Sequence, residues 1–165
     1  MKNARQISLL ITILIWGIIA GSLTYSHIVF LPNYLSHLPE STNLINEKYG
    51  FKEDNFWIII HPLIIFSTAI TFLLNWKITE RRKYIFTTIA IYILIMVVTA
   101  YYFYPEIIEF SQSNLSDMIS PEEWQRRGQK WLILSWIRLF FVYCAYISLL
   151  IALTKKNKAS NLPKY

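Results

Sequence analysis

Three ionisable side chains that could do chemistry lie inside apolar segments of the chain. They are His27 in "AGSLTYSHIVFLPNYL", His61 in "FWIIIHPLIIF" and Arg138 in "WLILSWIRLFFVYCAYISLLIAL". A histidine can accept or donate a proton, and an arginine can hold an anion. Polar ionisable groups in such segments usually face a bundle interior or a water-filled cavity. We therefore predict that these three residues are catalytic.

The elements that must position these residues are membrane-spanning helices. The 165-residue chain is 55% hydrophobic and only 16% charged, and a bilayer-spanning helix needs about 20 apolar residues. The sequence predicts an all-α, polytopic membrane four-helix bundle, forming a single domain over residues 1–165, with spans at 7–31, 56–76, 84–105 and 131–153. The first run begins like a signal peptide, but its apolar character continues too far for one. The motif "SPEEW" predicts a helix start at Pro121. Either the fourth helix begins there, outside, and runs inward, or Gly128 interrupts it and a short outer helix precedes the fourth helix.

Loop charges predict the orientation. Ten of the 16 Lys and Arg residues fall on one side of the spans, and nine of the ten Asp and Glu residues fall on the other. The positive-inside rule places both termini in the cytoplasm and residues 32–55 and 106–130 outside. Arg126, Arg127 and Lys130 oppose that assignment. We expect a protein of the bacterial cytoplasmic (inner) membrane, with a tail, "KKNKASNLPKY", that lacks fixed structure.

Composition also limits the partners. The basic charges are segregated between loops, which indicates a lipid bilayer as the partner and no nucleic acid. Cys144 is the only cysteine, which excludes an intrachain disulfide and a multi-cysteine zinc site. A lipophilic small molecule is the ligand that we expect, and the oligomeric state is left open.

With this topology, polar groups from different spans lie at one depth. At a rise of about 1.5 Å per residue, His27, His61 and Arg138 all lie roughly 6 to 10 Å below the outer boundary. The other half of the bundle shows no comparable cluster. Glu106 is the predicted side-chain partner of Arg138, with a bound anion or phenolate as the alternative. The predicted substrate-binding residues around this layer are Trp57, Tyr102, Glu106, Trp131 and Ser135.

Other interpretations of the same residues remain open. His27 and His61 together could bind a b-type haem or a metal, so the cofactor is not fixed. Arg138 could instead extend its side chain to the headgroups. The tryptophans and tyrosines match an interfacial aromatic belt. The whole layer could serve helix packing in a structural or accessory subunit.

The chain resembles the small four-helix membrane proteins grouped with the fungal anthrone oxygenases. The resemblance rests on "AGSLTYSHIVFLPNYL", "YYFYPEIIEF" and "WLILSWIRLFFVYCAYISLLIAL", in which the matching residues are Pro32, Pro105, Trp131 and Arg138. It implies a four-helix fold and an oxygenation of a phenolic polycycle without a bound cofactor. A histidine would then remove the phenolic proton, and Arg138 would stabilise the anion that reacts with oxygen.

Overall fold

Helices account for nearly all of the described chain. The computed structural model describes residues 2–115 and 118–155; the tail expected to lack fixed structure lies, from residue 156 onward, outside them. Two π-helical turns, Ser26–Phe30 and Thr99–Phe103, join α1 to α2 and α5 to α6. The α-helices in these ranges are α1 (Lys2–Tyr25), α2 (Leu31–Ser36), α3 (Asn43–Asn46), α4 (Glu53–Asn75), α5 (Thr79–Val98), α6 (Tyr104–Ser111) and α7 (Pro121–Thr154).

Four continuous helical stretches are long and apolar enough to cross a membrane, as the sequence predicts. They are Asn3–Ser36, Glu53–Asn75, Thr79–Ser111 and Pro121–Thr154. Three of them contain 33 or 34 residues, which corresponds to about 50 Å of helix, against a hydrocarbon thickness of about 30 Å. Three of the helices extend past the predicted spans, because a helix can continue through the polar residues at which an apolar window ends.

The four long helices pack in a ring. Helix α1 lies between α4 and α7, α5 packs along α7, and the α4–α5 interface is the least extensive of the four. We call the end with the 76–78 connection the hairpin end, and the end with residues 37–52, 112–115 and 118–120 the cap end. The main core fills the bundle between these ends, and its largest fully buried side chains include Trp16, Leu9, Ile64, Ile85 and Leu149.

A second core closes the cap end. Helices α2 and α6 pack there against the first turns of α7, and we call this assembly the cap. Its buried residues are Leu31, Tyr34, Leu35, Leu38, Phe103, Phe110, Trp124 and Trp131. Buried apolar surface of this kind explains why three helices extend beyond the length that a bilayer requires.

The separate outer helix expected before the fourth span is not observed. Ser120 caps the helix by accepting a hydrogen bond from the Glu123 amide at 3.3 Å, and α7 then runs unbroken from Pro121 to Thr154. Gly128 does not interrupt it. A β-carbon at Gly128 would lie 2.6 Å from the Leu35 carbonyl oxygen, so this glycine allows α2 to approach α7 closely.

The hairpin half of the bundle also contains a polar cluster, contrary to the prediction that only the outer half has one. Thr12 Oγ1 lies 2.8 Å from Thr71 Oγ1, and Trp16 Nε1 donates to Thr68 Oγ1 at 3.2 Å. These contacts join α1 to α4. The prediction failed because a threonine in a span can bond to the backbone of its own helix. The sequence therefore does not indicate which threonines bond to a second helix.

Candidate functional site

The two π turns lie at the depth of the predicted site and shape it. The Leu31 amide bonds to the Ser26 carbonyl, and the Tyr104 amide bonds to the Thr99 carbonyl, each over five residues. A proline follows each of those amides. Because a proline ring has no N–H and clashes with the carbonyl four residues earlier, the helix widens just before it. One wide turn carries His27, and the other carries Thr99 and Phe103.

Ser135 joins His27 to Arg138 in one hydrogen-bonded chain. His27 Nδ1 lies 2.6 Å from the Leu23 carbonyl oxygen, and His27 Nε2 lies 2.8 Å from Ser135 Oγ. Arg138 Nη2 donates to the same Ser135 Oγ at 2.9 Å. Since a carbonyl only accepts, the neutral imidazole carries its proton on Nδ1. The Ser135 hydroxyl then donates to Nε2, and Ser135 Oγ accepts from Arg138.

Arg138 points into the bundle and has neutral partners. In addition to Ser135, its Nη1 donates to Thr99 Oγ1 at 3.4 Å. The guanidinium carbon lies 4.1 Å from the centre of the Phe103 ring and 5.5 Å from that of Trp131. Within residues 2–115 and 118–155, no carboxylate lies within 4.0 Å of it. These contacts argue against a side chain that extends to the headgroups.

The predicted pairing of Glu106 with Arg138 is wrong. Glu106 instead makes a two-point contact with Arg127, whose Nη2 and Nε lie 2.9 and 3.2 Å from its oxygens. Arg127 Nη2 also lies 2.6 Å from Glu109 Oε2. The pairing differs because α6 packs beside the first turns of α7, where Arg127 is nearer. Arg127, which opposed the predicted orientation, is thus neutralised by neighbouring acids.

Trp131 and Tyr102 both pack against Phe103, next to the polar layer. Trp131 Nε1 donates to the Phe103 carbonyl oxygen at 3.1 Å, and the two rings meet edge to face. Tyr102 also meets Phe103 edge to face. Trp131 therefore belongs to the wall around Arg138. Tyr102 and Glu106 were predicted to lie around Arg138, but among the described residues its hydrogen bonds go to Thr99 and Ser135 instead.

His61 forms a second polar pair beside this chain. Its Nδ1 lies 2.8 Å from the Tyr92 hydroxyl, and its ring lies against that of Trp57. The structure thus joins two of the three predicted catalytic residues, His27 and Arg138, through Ser135. His61 is paired separately, with Tyr92. Tyr92 was not predicted as a site residue; its only sequence signal is its place on the stripe of α5 that also carries Thr99.

A groove of about 570 Å³ lies between α1 and the start of α4 at the cap end. It is lined by Tyr25, Ser26, Lys52, Glu53 and Trp57 together with Gly21, Ser22, Phe51 and Phe56. Ser26 Oγ donates to Glu53 Oε1 at 2.8 Å across its floor. None of His27, His61 and Arg138 lines this groove, so it approaches the polar layer without opening directly onto it.

The donor geometry does not fit the haem or metal hypothesis. An axial ligand needs a free ring nitrogen, but both nitrogens of the buried His27 already have hydrogen-bond partners. Among the described residues there is also no group of three or more His, Cys, Asp and Glu side chains with metal-binding geometry. The layer instead has the geometry of a hydrogen-bonded relay that ends at a cation. Comparisons with protein-family models, curated proteins and solved structures find no match to this chain.

Proposed function

We propose that this membrane protein binds a lipophilic phenol or quinone in the layer of His27, Ser135 and Arg138, with the ring oxygen of the ligand on Arg138. One observation carries the proposal. The Arg138 guanidinium lies inside a span, yet it contacts two neutral hydroxyls and two aromatic rings rather than a carboxylate. A charge removed from water without a counter-ion is costly. A bound oxyanion would supply the missing negative charge.

The surroundings of Arg138 also support an aromatic ligand. Phe103 and Trp131 provide flat apolar surface, and aromatic rings pack well edge to face or offset against one another. A guanidinium presents planar donors that match an oxygen at the edge of a flat ring. A lipophilic phenol therefore matches the apolar walls and the single charge together.

The reaction that we propose is the oxygenation implied by the resemblance to the anthrone oxygenases. A phenolic proton would pass to Ser135 Oγ while the Ser135 proton passes to His27 Nε2, which leaves the ring anion on Arg138. Dioxygen is then the oxidant. One oxygen atom of dioxygen converts a ring methylene into a carbonyl. The other oxygen atom leaves as water with the two methylene hydrogens, so no bound cofactor takes part.

The test measures phenol binding and oxygen uptake by purified protein in lipid nanodiscs, with anthrone as the probe. We expect anthrone to quench the tryptophan fluorescence and Arg138→Gln to weaken binding about tenfold to a hundredfold, since a hydrogen bond to a charged group contributes roughly 1.5–3 kcal/mol. Arg138→Lys should bind at an intermediate level because lysine lacks the planar donors. Arg126→Gln is the control, because Arg126 lies on the same helix and pairs with Glu123 in the cap.

Each alternative has its own outcome in that experiment. Unchanged binding in Arg138→Gln would contradict the proposal, and unchanged binding with lowered stability would indicate a packing role. Binding without oxygen uptake would limit the function to ligand binding. For the relay, His27→Gln should abolish uptake while His37→Gln, an exposed histidine, should not. A Soret band in the absorption spectrum would favour haem instead.

A further inference from the structure

A second groove lies at the hairpin end, far from the polar layer. It has a volume of about 510 Å³ and lies between the first turns of α1 and the last turns of α4. Its lining residues are Ala4, Arg5, Leu73, Leu74, Trp76 and Lys77. Both ionisable residues in this lining are therefore cations.

Further positive charge stands behind the groove. The Arg5 carbonyl oxygen accepts a hydrogen bond from Asn75 Nδ2 at 3.3 Å, and Asn75 Oδ1 accepts one from Arg81 Nη1 at 3.4 Å. The buried Asn75 thereby holds two arginine-bearing helices together. Arg82 adds a fourth cation, 4.8 Å above the Trp76 ring.

Negative charge is scarce at this end. Glu80 is the acid closest in sequence, and it pairs with Lys83 at 3.4 Å. In the described ranges, neither Arg5 nor Lys77 forms a salt bridge. Like charges that are gathered without acids repel one another, so an anion bound among them would be stabilising.

The remaining walls of the groove suit an acyl chain. Leu73 is 70% exposed and Trp76 is 51% exposed on the flank of a span, where lipid is the solvent. Tryptophan is typical of the boundary between headgroups and hydrocarbon. A ligand for this groove therefore needs a negative group at the end of the bundle and an apolar body that continues along α4.

We propose that the groove lined by Arg5, Lys77, Leu73 and Trp76 binds an anionic phospholipid, with its phosphate on the two cations and an acyl chain along α4. Basic pockets between spans bind anionic headgroups in this way. A free phosphate would use the cations alone and would leave the exposed apolar wall unexplained. The proposed site is independent of the phenol site, since the two lie in opposite halves of the bundle.

Native mass spectrometry of the purified full chain tests this proposal. The protein is mixed with equal amounts of phosphatidylglycerol and phosphatidylcholine that have the same acyl chains. We expect the unaltered protein to prefer phosphatidylglycerol. In the double variant Arg5→Gln/Lys77→Gln this preference should fall about fivefold for each cation removed, because one basic residue near a membrane surface contributes ~1 kcal/mol. Arg5→Lys/Lys77→Arg should keep the preference and shows whether these positions tolerate substitution.

The matched control is Lys48→Gln/Lys130→Gln, which removes the same charge from exposed lysines at the cap end. An equal loss of preference in this control would show that only net charge matters and would overturn the proposal. So would an unchanged preference in Arg5→Gln/Lys77→Gln. Competition by soluble glycerol phosphate at the concentration of the lipid would show that the apolar wall contributes nothing, which also contradicts a phospholipid site.

Discussion

Ser135 has the smallest side chain in the polar layer, yet two site residues depend on it. It is completely buried, and its single oxygen contacts both His27 and Arg138. One hydroxyl can donate once and accept twice, so it can satisfy both neighbours and still accept a ligand proton. The residue therefore couples the proton acceptor to the anion holder.

Substitution Ser135→Ala should separate those two residues. It leaves the buried His27 Nε2 without its partner, and an unsatisfied buried acceptor costs about 1–3 kcal/mol. We expect a lower free energy of unfolding in detergent and a loss of oxygen uptake with anthrone. Ser148→Ala, at a half-buried position on the same helix, is the control. If the two variants unfold alike and both retain uptake, the hydrogen-bonded chain has no role in either property.

The sequence allowed the site to be predicted in part. An arginine or histidine within an apolar run is conspicuous, and helical spacing placed Ser135 beside Arg138. The partner of Arg138 was not predictable, because the choice between Glu106 and Thr99 depends on how α5 and α6 turn against α7. Thr99 and Phe103 were missed as contacts since a threonine or phenylalanine in a span is ordinary.

At the scale of the element, α7 carries two arginines in contrasting surroundings. Arg127 and Arg138 are 11 residues apart, which is about three turns, so they lie on nearly the same face. Arg127 has two carboxylate partners in the cap, whereas Arg138 has hydroxyls and rings. Among the residues that the structure describes, the acids that reach this face of α7 pair with Arg127 in the cap, and none forms a salt bridge with Arg138.

Gly128 provides a prediction about the contact between α7 and α2. Gly128→Ala should destabilise the protein by about 1–3 kcal/mol, because its β-carbon would lie 2.6 Å from the Leu35 carbonyl oxygen and the backbone would have to shift. Gly21→Ala is the matched control, since nothing lies within 4 Å of a β-carbon there, and it should be neutral or stabilising. Thermal unfolding of both variants measures the difference. Equal stability in the two would contradict this account of the cap.

Helix ends were harder to predict than helices. The four spans follow from apolar length alone, but the predicted first and third spans end beside Pro32 and at Pro105, whereas the helices continue there into α2 and α6. A helix can continue past a proline when the turn before that proline widens. Whether it does depends on the second core, in which the continued helices bury their apolar side chains. No local window contains this information.

For the whole molecule, the loop charges predict that the cap end faces outward. Replacing Cys144 and introducing Tyr49→Cys should give a protein that an impermeant thiol reagent labels in intact cells, because Tyr49 is 89% exposed. Lys83→Cys, at the exposed hairpin end, should react only after lysis. Ile45 is a poorer labelling site, since it packs against the cap core. The reverse labelling pattern would invert the orientation.

The two π turns also set the direction in which the cap faces. A turn closed over five residues holds one residue more than a turn closed over four, and one residue in a helix corresponds to about 100° of rotation. Removing a single residue from Ser26–Phe30 would therefore give an ordinary α turn and leave Tyr34 and Leu35 facing α7. Closing the same turn over four residues without a deletion would instead rotate them away from α7 by about 100°. The azimuth of the cap over the bundle thus depends on both turns remaining wide, and the proline after each turn keeps it wide.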